Sequence, residues 1–367
     1  MKIELNKNKV FFNNGSIKKE IHPFWLRERV SGEKFLDKGT QQRLFDPTFL
    51  DNEILINKVN ITDKFLEIDF NDGVNSKIEI NKLALEFHNE DTLLKSIPKI
   101  KWDSSLKEIK NFKYQENFFE SKEMYDLLIS FYKYGFVIIK DIPTHDNFIV
   151  KFANSIGSVR RTNFGEYFNV RSKPDPNDLA YTSLALAPHT DNPYRKPVPC
   201  IQLLHCIESE VTGGFSTLVD GYTVTEDLKK EYFDFYKILS EIKVRFRFTD
   251  KEVVLEDWSE LIKLDKNKDF KQVRFSPRLD YVPMLEKGKL DLYYKARKKL
   301  SEMYNSDKYR IEFKLSPKDL IMMDNHRLLH GRTAYETKEG NRFLQGCYID
   351  YDSTEGKLRH LKRKFSL

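Results

Sequence analysis

The chain has 367 residues, 40% of them hydrophobic and 13% aromatic, which suits one large domain plus a small one, each with a core. Its 62 basic residues against 56 acidic ones leave a net charge of only +6, too small a surplus to argue for a nucleic-acid partner. Three scattered cysteines (Cys200, Cys206, Cys347), a start without an apolar signal core and no apolar run near roughly 18 residues predict a reduced, cytoplasmic protein with no membrane span.

The first 100 residues read as a small β-rich domain. Leu66, Ile68 and Phe70 alternate with Glu67 and Asp69, the period-two pattern of a strand with one buried face. Asn71-Asp72-Gly73 then signals a hairpin into a second alternating run, KIEI. Leu83 to His88 reads as a short closing element, and residues 101–120 as a polar linker.

From 121 to 367 the pattern changes. Met124, Leu127, Leu128 and Phe131 stand at helical spacing, Gly135 stops that helix, and FVIIKDI follows as a buried strand. Asp146 to Ile156 reads as a helix halted by Gly157. Ala180 to Val219 is extended, with loops at Pro193, Pro197, Pro199 and Gly213-Gly214. Helices are predicted near Thr225–Ile242 and Leu290–Met303, strands over RIEFKL, DLIMMDN and RFLQGCYIDYD, and a basic helix over LRHLKRKF. The fold class is therefore mainly β with helical cover, a sandwich or jelly roll.

His189-Thr190-Asp191 places a histidine and a carboxylate two residues apart, so that at a strand end both project to one side. His330, in DNHRLLHGR, supplies a third ligand from just after another strand. Two histidines and a carboxylate with open positions suit a non-haem iron(II) oxygenase, and they suit catalytic zinc as well. His-x-Asp also arises by chance. The context adds Arg342 on the last strand and Arg332 near it. A buried arginine beside a metal calls for an anion, and its fork matches a carboxylate, such as the distal one of a 2-oxo acid.

The runs AYTSLALAPHTDNPY, IQLLHCIESEVTGGFSTLVDGY, IMMDNHRLLHGRTAYE and RFLQGCYID resemble the γ-butyrobetaine and trimethyllysine dioxygenases. These are members of the taurine dioxygenase-like superfamily. The resemblance covers most of residues 120–367, and WLRERV and TQQRLFDP resemble that family's small N-terminal domain. It implies a double-stranded β-helix that uses iron(II), 2-oxoglutarate and O2. His189, Asp191 and His330 would hold the iron. Arg342 would clamp 2-oxoglutarate, helped by Ser216, whose hydroxyl serves a turn after Gly213-Gly214 equally well. Some relatives carry a zinc site of cysteines and a histidine in the N-terminal domain. WLRERVSGEKFLD has no cysteine, so no structural zinc is predicted, and His88 reads as an ordinary residue.

The resemblance also implies an aromatic cage for a quaternary ammonium, formed by Phe164, Phe168, Tyr181 and Tyr348, since such a cation offers no hydrogen and is met by aromatic faces. For the substrate's other end, Asp178 resembles the acid of the trimethyllysine enzymes, which can meet an ammonium, whereas Arg195 and Arg278 are candidate anion binders, each with a solvent-facing reading of at least equal weight. The expected substrate is a small trimethylammonium acid of the γ-butyrobetaine or 2-trimethylaminoethylphosphonate type. The alternatives are a trimethyllysine-type hydroxylase, a protein or nucleic-acid hydroxylase on the same fold (the Lys362-Arg363-Lys364 tail leans that way), and a non-catalytic binding module. A homodimer is implied by resemblance alone.

Overall fold

A computed structural model describes residues 2–13, 15, 18–87, 92–171 and 182–367. The chain divides into two compact units, Met1–Ser96 and Ile97–Leu367. His88, Asp178 and Tyr181 lie outside the described residues. No helix among the described residues is long and apolar enough to cross a membrane.

The first unit holds two three-stranded antiparallel sheets, Lys2–Asn6 with Lys9–Asn13 and Lys18–Glu20, and Ile56–Ile61 with Phe65–Phe70 and Asn75–Glu79. Alternation decides the second sheet: Leu66, Ile68 and Phe70 are buried against Leu26, Val30 and Leu83. The hairpin turns at Gly73, whose φ of +80° favours glycine.

The second unit is built on two sheets. One has six strands in the order Asn111–Lys113, Phe136–Lys140, Leu320–Asp324, Ile201–Ser209, Arg342–Ile349, Phe168–Val170. The other has four, in the order Leu186–His189, Leu328–Arg332, Ser216–Asp220, Arg310–Phe313. Both contribute to one core, in which Ile138, Ile321, Met323 and Leu344 from the first sheet meet Leu218, Ile311 and Leu328 from the second. The stretch marked as a linker supplies the edge strand Asn111–Lys113, which runs parallel to its neighbour.

Helices cover these sheets, and their ends follow from local chemistry. Ser121 caps the helix Lys122–Tyr134 through a hydrogen bond from the Met124 amide at 3.1 Å, and Gly135 closes it at φ +82°. Two expectations need correction. The helix placed near Thr225–Ile242 is two, Gly221–Glu231 and Phe233–Glu241, because Tyr232 leaves the helical region at φ −140° and ψ 62°. The last strand stops at Ile349, since Tyr351–Phe365 is a single helix whose buried Leu358 and Leu361 give it an apolar face. Gly157 ends the helix Phe148–Ile156 as expected, its extended backbone closing onto the Ala153 carbonyl, and it also gives clearance: a Cβ there would sit 2.2 Å from the Ser353 side chain.

Between the paired helices and Lys287–Tyr304 lies an insert of short strands, including Val244–Thr249 with Val254–Ser259. Its Phe246, with Phe275, packs into a core shared with Tyr293 and Leu300.

Candidate metal and co-substrate site

Sheet register brings the three candidate ligands together. His330 lies on the Leu328–Arg332 strand, directly opposite His189 on one side and Leu218 on the other. This close pairing requires Gly331, where a Cβ would meet the Leu186 carbonyl at 2.5 Å. Asp191 follows His189 in a loop whose backbone Asn325 fixes. The Asn325 Oδ1 accepts from the Asp191 amide at 2.8 Å, and its Nδ2 donates to the Asp191 carbonyl at 3.0 Å.

Asp191 Oδ1 stands 3.5 Å from His189 Nε2 and 3.7 Å from His330 Nε2. One ligand atom from each residue lies within 4.8 Å of the others, and these three residues are the group so arranged among the described residues. The other side-chain polar atoms of His189 and Asp191 are already engaged. His189 Nδ1 is 2.9 Å from the Ala187 carbonyl, which fixes the tautomer that leaves Nε2 with a lone pair. The other carboxylate oxygen, Asp191 Oδ2, accepts from Gln202 Nε2 and from the Tyr348 hydroxyl, each at 2.7 Å.

Electrostatics favour the ligating forms. Burial pushes the His330 imidazole down to about 4, with His189 and Arg278 adding to this and Asp191 opposing it, so it is neutral near pH 7. Burial alone would raise Asp191, but the two histidines and the Tyr348 hydroxyl hold it well below the usual carboxylate range. A neutral imidazole and an ionised carboxylate converging on one point suit a divalent cation.

Beside the triad, Ser216 pairs in register with Arg332, and both line the same cavity as Arg342. Arg342 is buried, its Nε donates to the Gly214 carbonyl at 3.2 Å, and no carboxylate among the described residues pairs with it. Burial, then the neighbouring Arg332, pushes its guanidinium down to about 10. Gly214, at φ +72°, makes room: a Cβ would stand 2.7 Å from Arg342 Nε. The Arg342 and Arg332 guanidinium carbons sit 5.5 and 5.1 Å from the Tyr335 ring centroid. Arg332 itself donates to the carbonyls of Thr182 and Leu184, at 2.7 and 2.8 Å, which ties down the start of the strand bearing His189. A buried arginine without a carboxylate partner is where an anion would be held, so Arg342 fits the clamp and Arg332 fits a structural strap.

The same cavity has an aromatic wall. Phe164, Phe168 and Tyr348 line it, with Phe168 and Tyr348 at 5.3 Å between centroids. Phe168 lies over Gly346, where any Cβ would strike its ring at 2.4 Å. Two further rings escaped the sequence reading. Tyr194 stacks on Phe248 at 4.9 Å, and Phe248 meets Phe164 edge-on at 5.8 Å. Phe248 comes from the insert, as do the lining residues Ser276 and Arg278. Arg195, by contrast, does not line the cavity and donates to Asn163. Asn325 and Gln202 were also missed. A lone glutamine inside the apolar run IQLLHC was the available signal for the second.

Comparison with known proteins agrees with this geometry. Residues 103–348 match the family model described as "Taurine catabolism dioxygenase TauD, TfdA family". A γ-butyrobetaine dioxygenase from Pseudomonas sp. (strain AK-1) is 27% identical over 348 residues, covering 94% of this chain and 91% of its own. The Homo sapiens γ-butyrobetaine dioxygenase is 33% identical over 270 residues, covering 72% and 69%. The mitochondrial trimethyllysine dioxygenase of Bos taurus is 26% identical over 353 residues, covering 92% and 82%. Among solved structures, an asparagine oxygenase bound to Fe(II), 3-hydroxyasparagine and succinate shares the fold. It superposes with a TM-score of 0.50 at 12% identity, over 65% of this chain and 93% of that one. The chain belongs to the TauD/TfdA family and is an iron(II)- and 2-oxoglutarate-dependent dioxygenase.

Proposed function

We propose that this dioxygenase hydroxylates a C–H bond of a small trimethylammonium acid, with His189, Asp191 and His330 holding iron and Arg342 holding the distal carboxylate of 2-oxoglutarate. The observation that carries the substrate class is the wall of Phe164, Phe168, Tyr194, Phe248 and Tyr348 on the cavity that also contains the triad. Aromatic faces attract a cation that cannot donate hydrogen bonds. Relatives named for γ-butyrobetaine and trimethyllysine support the same reading. Arg278, an exposed residue that lines the same cavity, would receive the substrate's anionic group. The two-sheet core reads as a double-stranded β-helix, with the small β-rich unit before it.

Bound iron(II) and 2-oxoglutarate supply the oxidation: carbon dioxide is lost, one atom of O2 leaves in succinate and the other becomes the product hydroxyl. The protein positions and excludes. Ser216 and Arg342 orient the co-substrate, Asn325 fixes the loop of Asp191, and Leu186, Leu204 and Leu344 keep this part of the cavity apolar. The rings determine which substrate carbon is presented.

A pair of ligands tests the reading. A trimethylammonium substrate and its neutral tert-butyl analogue share a shape, so the cation alone should favour the former by about 1–2 kcal/mol. Phe168→Leu and Phe248→Leu should weaken the cation more than the analogue. Equal losses for both would reduce the rings to packing and end the quaternary-ammonium reading.

A further inference from the structure

The two oxygens of Asp191 have separate environments. Oδ1 faces both imidazole Nε2 atoms, at 3.5 and 3.7 Å. Oδ2 is turned away from them and receives two hydrogen bonds of 2.7 Å. A carboxylate can only accept, so the glutamine must present its Nε2 and the phenol its hydrogen. Gln202 is buried, and its own Oε1 has no hydrogen-bond partner among the described residues, so its amide is committed to Asp191.

Register explains why the two donors act together. Gln202 and Tyr348 are directly opposite on adjacent strands, Ile201–Ser209 and Arg342–Ile349, so both side chains leave the same face of the six-stranded sheet. From that face they reach across to Asp191, which hangs from the end of the four-stranded sheet's edge strand. The pair thus ties the ligand loop to the opposite sheet.

We infer that Gln202 and Tyr348 are positioning residues that hold Asp191 to single-oxygen ligation of the metal. The inference rests on the triad being the ligand set. Three protein ligand atoms leave three positions of an octahedron for the co-substrate and the chemistry. A carboxylate free to turn would offer both oxygens and close one of them. Two charge-assisted hydrogen bonds on Oδ2 remove that option. Tyr348 also stands in the aromatic wall against Phe168, so one residue borders both the substrate's cation and the metal's carboxylate.

The test uses the full-length protein with Mn(II) and no 2-oxoglutarate, reading metal affinity and the number of water molecules on the bound ion by water-proton relaxation. Tyr348→Phe keeps the ring and removes only the hydroxyl, and Gln202→Leu keeps the volume. Each should lower affinity about tenfold, the usual scale for a partner that orients a ligand. The double variant should also lose roughly one of three bound waters, a drop of about one-third in relaxivity per bound ion. A mere loss of packing would not change that count. A double variant that keeps the wild-type water number, at any affinity, overturns the inference. Asp191→Ala is the separate control: undiminished Mn(II) affinity there would instead remove Asp191 from the ligand set.

Discussion

Replacing Arg342 by methionine separates binding from stability in opposite directions. At pH 7 the guanidinium is charged in both folded and unfolded chains. Folding pushes its group value down to about 10, chiefly because it is buried, with Arg332 as the next cause. A depression of that size corresponds to about 3 kcal/mol held against the folded state when no anion is bound. Methionine removes this penalty, and it also removes the hydrogen bond to Gly214 and the contact with Tyr335, together worth about 1–2 kcal/mol. The protein without co-substrate should therefore be no less stable than wild type, and up to about 2 kcal/mol more so. Co-substrate affinity should move the other way. Losing one partner of a buried charge pair costs about 2–5 kcal/mol, at least roughly a thirtyfold rise in the 2-oxoglutarate KM. Thermal melting with and without 2-oxoglutarate, alongside succinate release, reads both effects. A destabilised variant with an unchanged 2-oxoglutarate KM would refute the reasoning and make Arg342 a structural residue.

Two further outcomes follow from burial and ligand count. His205, buried in the six-stranded sheet between Leu320 and Gln345, is pushed down to about 4 by burial and by His145, against the opposing Asp319 and Ile142 carbonyl. The unfolded chain takes the proton below about 6.5 and the folded one only near 4, so stability should fall by up to about 3 kcal/mol as pH drops through that window. In His205→Leu this part of the slope should vanish from urea midpoints measured at pH 4–8, while the His330 contribution stays; an unaltered slope would exclude His205 as its source. His189→Ala, Asp191→Ala and His330→Ala should each lose turnover while melting within a few degrees of wild type, since a catalytic metal contributes less to folding than a structural one. Retained turnover in any of them would remove that residue from the ligand set.

The legible part of this protein was local. Alternation in LEIDF and the Asn71-Asp72-Gly73 turn specify a hairpin by themselves, and Ser121 with Gly135 brackets a helix. His189 and Asp191 sit within one short segment, and the resemblance pointed to His330. What brings His330 to them is cross-strand register, which depends on pairing between distant segments. The same limit hid the support around Asp191. Asn325, Gln202 and Tyr348 reach it from three separate strands or loops; Tyr348 was read only as a cage ring, and the one local signal for Gln202 was a polar residue in an apolar run. The insert is a different case. Val244, Phe246 and Phe248 alternate with Arg245 and Arg247, a strand signal in plain view, yet nothing local says that Phe248 reaches the cavity wall. The break at Tyr232 carries no local signal, since neither proline nor glycine stands at the junction of the two helices.

The most direct measurement is oxygen-dependent succinate release over a substrate panel of γ-butyrobetaine, 2-trimethylaminoethylphosphonate, trimethyllysine, their tert-butyl analogues and unmodified peptides, with product hydroxylation read by mass. A small trimethylammonium acid should give succinate and a product heavier by one oxygen in equal amounts, with the tert-butyl analogues and peptides far slower. Stoichiometric hydroxylation of a peptide, or of the neutral analogue at the rate of the cation, would contradict the account.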